Sequence, residues 1–488
     1  MTGSRPVLGR TPVGDAGPSA TPSWGRLATA WPAGWGALLG AGLFLVARDA
    51  MPDDAFISLS FARNLAEHGQ WALTTGIESN TATSPLNIWL LAGLNLLTGH
   101  RAVVAAGLLL CLCLAITATW LHRLGGPSAA VLGPALLATS PVLTSAVGLE
   151  PFLCAAVLAG LVRYASEGRW VVTGVLTGAS FLARPDLVIA AAVAVGILGV
   201  ASHRRLFLAL PLGALVALPW VLFSWRHFGT AWSHSVAVKW ATGAWSGWTL
   251  TMPGYWWPRF GWAAIAVAAT LALGALATIV AVRRRQWPPV ALGAGGAAHL
   301  GALATTETPP VEYYLTPAVA GLGMALVLVV AQAGRIAVLV PGLLVAGCVV
   351  GSIVHGSLWS DGLAPMRQNM ATAAEYAAIA RDLPTDGVVM SNEIGSLAFY
   401  CQDRGCTVVD PVLSDPGRVD ASVARWRVFH PSFELNYRHY EVPPRTPVRY
   451  RLELGLPEPG PGRWPVTRTP TRHGWAELVA EPDPVAAD

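Results

Sequence analysis

The sequence is poor in charged residues. Only 12% of its 488 residues are Asp, Glu, Lys or Arg, which is about half the share found in soluble domains. Hydrophobic residues make up 53% of the chain, and the mean hydropathy is +0.49. This composition excludes a set of soluble domains and predicts a polytopic membrane protein. A net charge of +4 is too small to indicate a nucleic-acid partner.

Cysteine is also scarce. The six cysteines do not have the spacing of a zinc site, and the chain lacks a Gly-rich phosphate loop. Cys401 and Cys406 lie in a polar region, where an oxidising compartment would allow a disulfide. Two free thiols, too far apart to bond, are the equal alternative. The remaining four are interpreted as small buried hydrophobic residues in apolar segments: Cys111, Cys113, Cys154 and Cys348.

The composition divides the chain into three regions. Residues 1–27 are rich in Gly, Pro, Ser and Thr and predict a disordered cytoplasmic tail. Residues 28–356 carry the apolar segments of a membrane bundle, with an acidic loop at 48–85 after the first segment. Residues 357–488 are charged and Pro-rich, and their number suits one small domain. The predicted fold class is an α-helical polytopic membrane protein with a small extracytoplasmic α/β C-terminal domain.

Basic residues recur in alternate short loops of the bundle. Because short basic loops stay in the cytoplasm, they predict about eleven spans with the N-terminus inside and the C-terminal domain outside. The apolar run 86–97 is too short to cross a bilayer and is placed on the side of the acidic loop. Spans are predicted near residues 28–46, 102–121, 129–145, 151–166, 170–183, 187–202, 206–224, 261–282, 289–304, 313–333 and 336–356.

An amphipathic helix with two acids at its start follows the first span. Ile57, Phe61 and Leu65 recur at every fourth position, while polar residues take the opposite face. This pattern predicts a helix that lies in the membrane interface. Asp53 and Asp54 either cap that helix beside its dipole or supply carboxylates to a reaction. This stretch alone leaves both interpretations open.

The C-terminal region contains one clear α/β pattern. Residues 387–391 and 406–410 are interpreted as short strands, with a helical turn at 393–400 between them. The Pro-rich sequence that follows shows little pattern, so no further elements are predicted there.

The groups predicted at the outer face combine carboxylates, cations and aromatic rings. Charged side chains near a bilayer usually line a wet cavity or pair with one another. A simple Arg184–Asp186 ion pair and an interfacial Lys239 are the plain alternatives to a binding role. The set favours transfer of a group from a lipid-linked phosphate. Its members are Asp53, Asp54, Glu150, Arg184, Asp186, His227, His234, Lys239, Glu307, Glu312, Tyr313 and Tyr314.

Five stretches, taken in order, resemble one protein family. They are residues 53–65, 84–89, 148–150, 182–186 and 228–239. Together they resemble the GT-C glycosyltransferases, and among these the actinobacterial terminal arabinofuranosyltransferases. The C-terminal segment 394–410 resembles the same family, so the resemblance covers most of the chain. Two departures bear on the substrate more than on the class: residues 233–235 read Ser-His-Ser where the family usually has Pro-Asn-Thr, and Ala183 replaces a Thr.

The resemblance implies a polyprenyl-phosphate sugar donor, decaprenyl-phosphate arabinofuranose, and a cell-envelope glycan as acceptor. It implies catalytic roles for Asp53 and Asp54, with Asp53 taking the proton of the acceptor hydroxyl and the phosphate leaving with inversion. The adjacent carboxylates permit a divalent metal ion, and no other cofactor is implied. The donor phosphate is assigned to Arg184, Lys239 and His234, and other substrate contacts to Glu150, Asp186, Tyr313 and Tyr314.

Three other functions stay open at this point. The chain could transfer another polyprenyl-phosphate sugar, such as mannose. It could be a transporter or lipid flippase, which would place charged groups in both halves of the bundle rather than at one face. It could also be an envelope scaffold whose C-terminal domain binds glycan.

Overall fold

The structure is a computed structural model of the chain. It describes residues 24–235, 257–258, 260–305, 311–334, 336–355, 363–366, 369–385, 387–409, 431–441, 447–457, 463–469 and 472–480. Most of the predicted tail 1–27, Lys239 and Glu307 therefore lie outside the described residues, and so does most of the segment 225–260 between the spans at 206–224 and 261–282.

Apolar helices form the first and larger part of the molecule. Five of them are long and apolar enough to cross a membrane, and five shorter apolar helices accompany them. The described part of the chain is thus a multi-pass helical bundle, as predicted, while the number of about eleven spans stays a prediction. The helices are α1 (Trp24–Ala47), α2 (Asp53–His68), α3 (Pro85–Leu97), α4 (Ala102–Thr139), α5 (Pro141–Thr144), α6 (Pro151–Ser166), α7 (Trp170–Ala183), α8 (Leu187–Ala201), α9 (Ala209–His227), α10 (Trp262–Arg283), α11 (Trp287–Thr305), α12 (Thr316–Ala333) and α13 (Leu339–Val354).

Helix α4 covers most of two spans that the sequence separates. Its backbone leaves helical geometry at Gly126, where φ is 78° and ψ is −166°, so two helical segments meet at a kink. Helix α3 has 13 residues, in agreement with the prediction of a run too short to cross.

A smaller unit follows the bundle. Helix α14 (Ala373–Asp382) leads into the strand β3 (Val388–Met390), the helix α15 (Gly395–Gln402) and the strand β4 (Thr407–Val409). The predicted strand–helix–strand pattern is therefore confirmed. Strands β3 and β4 are parallel, and α15 is the crossover between them. The core of the unit is apolar and includes Tyr376, Val389, Leu397, Val408 and Leu452.

The sheet continues where the sequence indicated no pattern. Its additional strands are β5 (Tyr450–Leu456), β6 (Arg463–Thr469) and β7 (Arg472–Ala480), preceded by the short helix α16 (Pro431–Asn436). The sheet order is β4-β3-β5-β7-β6, which puts β6 at an edge. Pro465 lies within β6, and an edge strand is where a sheet tolerates proline. A two-stranded hairpin, β1 (Ala72–Thr74) and β2 (Ile77–Glu78), lies in the loop after α2.

Helix α2 packs between the bundle and the C-terminal unit at two glycines. A Cβ on Gly148, whose φ is +94°, would lie 2.9 Å from the Cβ of Ala55. A Cβ on Gly395 would lie 1.9 Å from the backbone oxygen of Asp53. Both contacts exclude a larger residue, so the first turn of α2 is held closely from two sides.

Candidate functional site

The carboxylate of Asp53 faces the C-terminal unit. Its Oδ2 accepts a hydrogen bond from the amide of Gly395 at 2.9 Å, and its Oδ1 accepts one from the amide of Ser396 at 2.7 Å. These amides belong to the first turn of α15, so Asp53 caps a helix other than its own. The residue before α2 is Pro52, and neither acid caps α2 itself. Burial raises the pKa of Asp53 to about 6, in opposition to these two amides.

The neighbouring carboxylate faces the bundle. Asp54 Oδ2 accepts a hydrogen bond of 2.6 Å from the hydroxyl of Tyr313. Tyr313 lies in a short 3₁₀ helix, Glu312–Leu315, that leads into α12. Within the described residues, no hydrogen bond reaches Oδ1 of Asp54, so this oxygen remains open to a substrate hydroxyl.

A buried ion network lies next to Tyr313. Arg184 donates from Nη1 to Glu150 Oε1 at 3.0 Å and from Nε to Asp186 Oδ1 at 2.7 Å. The same Nη1 is 3.4 Å from the carbonyl oxygen of Tyr313, and the guanidinium carbon lies 5.0 Å from the ring centre of Tyr314. The predicted Arg184–Asp186 pair exists, but it is part of a larger constellation.

The sequence 182–186 explains why these groups meet. Pro185 disfavours a helical conformation for the residue before it, so α7 ends at Ala183 and Arg184 adopts extended backbone angles. Asp186 is the residue before α8, and Glu150 is the residue before α6. Each charge therefore lies at a helix end rather than in the middle of a span, where it would be costly.

The electrostatics of the network are set by proximity and burial. Burial opposes ionisation of Asp186, yet Arg184 and His299 hold its pKa well below the usual range. Burial raises the pKa of Glu150, in opposition to Arg184. The two carboxylates raise the pKa of Arg184, although burial acts the other way, so this cation stays charged. One cation, Arg184, is thus shared by two acids in this network.

His299 completes the network and was missed by the sequence reasoning. Its Nε2 lies 3.0 Å from Asp186 Oδ2, and its side chain is fully buried in α11. A lone histidine in a segment of Gly, Ala and Leu was the available signal, because polar groups inside a membrane bundle are functional candidates by default. Glu393 was missed as well: it accepts hydrogen bonds from the amide of Met370 at 2.8 Å and from the hydroxyl of Tyr376 at 2.5 Å.

His234 lies apart from this network, against the C-terminal unit. Its Nδ1 is 3.0 Å from the hydroxyl of Tyr437, and its ring stacks on Tyr440 with centroids 5.2 Å apart. Its amide donates to the carbonyl of Asn80. Burial lowers the pKa of His234 to about 4, so it is neutral near pH 7. Its predicted phosphate contact stays a prediction, and so does that of Lys239, which the structure does not describe.

The motif stretches converge in space. The hydroxyl of Ser84 donates to the carbonyl of Ala183 at 2.5 Å. The amide of Asn80 donates to the backbone oxygens of Thr230 and Trp232. The turn at Gly148 packs on α2, as described above. Four of the five stretches are thus joined around α2 and Arg184, while 228–239 contacts the loop after α2 through Asn80.

The acid pair does not by itself form a metal site. Both oxygens of Asp53 are already engaged by amides, so the pair offers no two open carboxylates. Among the residues that the structure describes, no three His, Cys, Asp or Glu side chains are grouped to hold a metal ion.

A disulfide joins Cys401 and Cys406, whose Cα atoms are 5.0 Å apart. Of the two alternatives open in the sequence, the bonded one is therefore found. The bridge links the end of α15 to the start of β4. It therefore restrains the connection between these two elements, next to α2.

No protein-family model matches the chain, and no curated protein is significantly similar to it in sequence. Among solved structures, ArnT from Cupriavidus metallidurans bound to undecaprenyl phosphate matches with a TM-score of 0.52 and 14% identity over 92% of this chain and 98% of that chain. Its apo state matches with a TM-score of 0.51, 14% identity and the same coverage.

A third match is weaker. The arabinofuranosyltransferase AftD from Mycobacteria has a TM-score of 0.42 and 16% identity, over 75% of this chain and 29% of that chain. This likeness is too low to bear on function. The ArnT matches, at 14% identity, establish the fold alone. The chain therefore shares the fold of ArnT. The predicted architecture, a multi-pass helical membrane bundle followed by a small α/β unit, is confirmed.

Proposed function

We propose that the protein is an inverting membrane glycosyltransferase that uses a polyprenyl-phosphate sugar as donor. The single observation that carries this proposal is the linkage of Asp54, Tyr313 and Arg184, which puts a carboxylate and a buried guanidinium on two sides of one tyrosine. One group suits a proton acceptor and the other suits a phosphate. The shared fold with ArnT, a protein solved with undecaprenyl phosphate bound, supports a lipid phosphate as the ligand.

The acid pair supplies the base of the reaction. An acceptor hydroxyl gives its proton to a carboxylate while its oxygen bonds to the anomeric carbon of the sugar. The bond from that carbon to the phosphate oxygen breaks, and the lipid phosphate leaves with the electron pair from the opposite face. Of the two acids, Asp54 has an oxygen open among the described residues. The Tyr313 hydroxyl fixes the direction of this carboxylate.

Arg184 is the described cation placed to offset charge on the leaving phosphate. Glu150 and Asp186 occupy its Nη1 and Nε, and within the described residues its Nη2 makes no hydrogen bond. Since two acids surround this single cation, a dianionic or monoanionic phosphate needs a further positive group. Lys239 fills that role in the proposal, and His234 with Tyr314 borders the donor.

The finer parts of the proposal concern the sugar, the acceptor and the membrane side. The sugar is arabinofuranose and the acceptor a cell-envelope glycan, on the motif resemblance given above. The bundle occupies 28–356 with the N-terminal tail 1–27 in the cytoplasm, and 357–488 lies outside. The Cys401–Cys406 bridge supports this orientation, because disulfides persist in oxidising compartments.

A transfer assay with purified protein tests the function. Synthetic polyprenyl-phosphate arabinofuranose and polyprenyl-phosphate mannose are offered in parallel with a short arabinan or mannan acceptor, and products are read by mass spectrometry. We expect pentose transfer from the first donor and none with an Arg184→Ala control. Transfer of hexose alone would support a polyprenyl-phosphate-dependent glycosyltransferase but contradict arabinofuranose as its sugar. Folded protein that consumes no lipid-linked sugar would overturn the proposal and favour the transporter.

A further inference from the structure

Helix α2 contacts both ends of helix α15. Near its start, Asp53 accepts the amide hydrogen bonds of Gly395 and Ser396. Ten residues later, Arg63 donates from Nη2 to the carbonyl of Phe399 at 2.5 Å. The first turn of α2 therefore lies against the first turn of α15, and Arg63, further along α2, lies against the last turn of α15. The two helices thus run in parallel over the length of α15, about 12 Å.

The remaining contacts of Arg63 strengthen the far end. Its Nε donates to Oε1 of Gln402 at 2.7 Å, and its Nη1 pairs with Oδ1 of Asp403 at 3.1 Å. Its guanidinium carbon lies 4.3 Å from the ring centre of Phe399. The Arg63 side chain is 9% exposed, whereas Asp403 is 67% exposed. The contact with the Phe399 carbonyl is therefore shielded from water, while the ion pair with Asp403 is open to screening by salt.

The charges match the dipole of α15. A helix carries partial positive charge at its first amides and partial negative charge at its last carbonyls. A carboxylate at the first end and a guanidinium at the last end each lower the energy, and exchanging them would raise it. This charge order selects one direction and one register for α15 on α2.

The close packing of α15 on α2 favours the same arrangement as the charges. Gly395 lets the backbone of α15 approach Asp53 so closely that any Cβ would overlap the Asp53 oxygen at 1.9 Å. Between the two ends, the ring of Phe56 packs against Phe399 and Tyr400 with centroids 5.3 Å and 5.7 Å apart. The interface is thus built at its first turn, its middle and its last turn.

We propose that Asp53 and Arg63 form a two-ended clamp that docks the C-terminal unit on α2 and thereby aims Asp54 at Tyr313. Asp53 and Asp54 share one helical turn, and successive residues on a helix point about 100° apart. Fixing Asp53 on α15 therefore fixes the rotation of α2 and the direction of Asp54. Asp53 and Arg63 are thus positioning residues. Through them, the C-terminal unit fixes the direction of the Asp54 carboxylate.

Hydrogen exchange measures the clamp directly and needs no donor. In the full-length protein in detergent, peptides covering 391–402 are followed by mass spectrometry. Asp53→Ala and Arg63→Gln should each speed exchange there by about tenfold or more, as expected for loss of charge-assisted hydrogen bonds. Arg163→Gln is the matched control, because it makes the same change in α6, where Arg163 pairs with Glu167 and does not contact α15. Arg63→Lys keeps the positive charge but loses the planar guanidinium, which donates several hydrogen bonds at once. This variant should give an intermediate rate of hydrogen exchange.

The positioning role has a second readout, which rests on the proposed function. Clamp variants should lower kcat by about tenfold and leave the KM for the lipid-linked donor within about twofold, because the Arg184 network is untouched. Unchanged exchange in both Asp53→Ala and Arg63→Gln would overturn the clamp whatever the activity. Faster exchange with unaltered kcat would reduce it to a structural contact and overturn the positioning role. If no variant and no wild-type protein transfers sugar, the exchange result still decides the docking claim.

Discussion

Two neighbouring carboxylates on α2 belong to different parts of the molecule. Asp53 is tied by both oxygens to the first amides of α15, in the C-terminal unit. Asp54 is tied by one oxygen to Tyr313, which borders the Arg184 network of the bundle. The difference follows from helical geometry, because adjacent side chains leave a helix in different directions. An acid pair in a sequence is therefore two candidates and not one site.

The two surroundings also differ in charge. On the Asp54 side, Arg184 forms ion pairs with Glu150 and Asp186. On the Asp53 side, the carboxylates of Asp53 and Glu393 accept hydrogen bonds from neutral groups, namely backbone amides and the Tyr376 hydroxyl. Burial and the nearby Asp53 raise the pKa of Glu393 to about 8. We therefore expect the stability of the Asp54 side, in the bundle, to depend on the Arg184 cation. The stability of the Asp53 side, where the C-terminal unit docks, should depend on pH.

Removing Arg184 should give the largest loss of activity and stability, and it should disturb the ion network of the bundle without affecting the contact between α2 and α15. Arg184→Ala leaves Glu150 and Asp186 buried without their cation, a change that typically costs about 3–5 kcal/mol. We expect loss of donor binding together with a marked fall in Tm. Arg163→Ala is the control, since its pair with Glu167 is an (i, i+4) pair worth about 0.3–0.5 kcal/mol. Equal effects of the two substitutions would contradict a special role for Arg184.

Raising the pH should weaken the docking side. Glu393 has a folded-state pKa of about 8, above its ordinary value of 4.5. Asp53, with a pKa of about 6, is already mostly ionised above pH 7, as its contact with α15 requires. Carboxyls with raised pKa values stabilise the fold below their ordinary values, and this contribution is lost as pH rises through the folded values. Tm should fall by roughly 5 °C between pH 6 and pH 8.5. Glu393→Gln, which can still accept from Tyr376, should flatten this dependence; an unchanged slope would remove Glu393 from the account.

Deleting one hydroxyl should give the smallest effect and sharpen the comparison. Tyr313→Phe keeps the ring beside Arg184 but leaves Asp54 without its hydrogen bond. A hydrogen bond of this kind contributes about 0.5–1.5 kcal/mol, so kcat should fall by up to about tenfold with hydrogen exchange of α15 unchanged. Tyr164→Phe is the paired control, since Tyr164 lies in α6 and contacts Arg169 through its ring, away from the acid pair. An equal loss of kcat in Tyr164→Phe and Tyr313→Phe would contradict a role of the Tyr313 hydroxyl in orienting Asp54.

Local patterns predicted the bundle and the first half of the C-terminal unit well. Apolar runs gave the helices, and the Arg-Pro-Asp break was visible because proline ends a helix. The strands β5 to β7 were missed, because their pairing is set by partners far along the chain, and Pro465 argued against a strand until β6 was known to be an edge.

The sequence pointed to Asp53, Asp54, Glu150, Arg184 and Asp186 as candidates, but not to His299 or Glu393 and not to how these side chains are arranged. The ion pair of Arg184 with Asp186 could be read from their spacing, whereas His299 joins them from 113 positions away. The capping interpretation of the acids was wrong for α2, and no pattern in residues 53–65 could show that Asp53 caps a helix 342 positions later. Contacts between distant segments carry no local signal.

The central claim is that Asp54 accepts the proton and Asp53 holds the C-terminal unit. The direct measurement compares Asp53→Asn and Asp54→Asn in the same transfer assay, with hydrogen exchange of residues 391–402 followed in parallel. The account predicts that Asp54→Asn lowers kcat by about 10²–10⁴ without changing exchange, as loss of a general base does. Asp53→Asn should lower kcat by about tenfold and speed exchange, because one of two amides loses its acceptor. The reverse result, with the larger loss in Asp53→Asn and exchange unchanged, would make Asp53 the base and contradict the account.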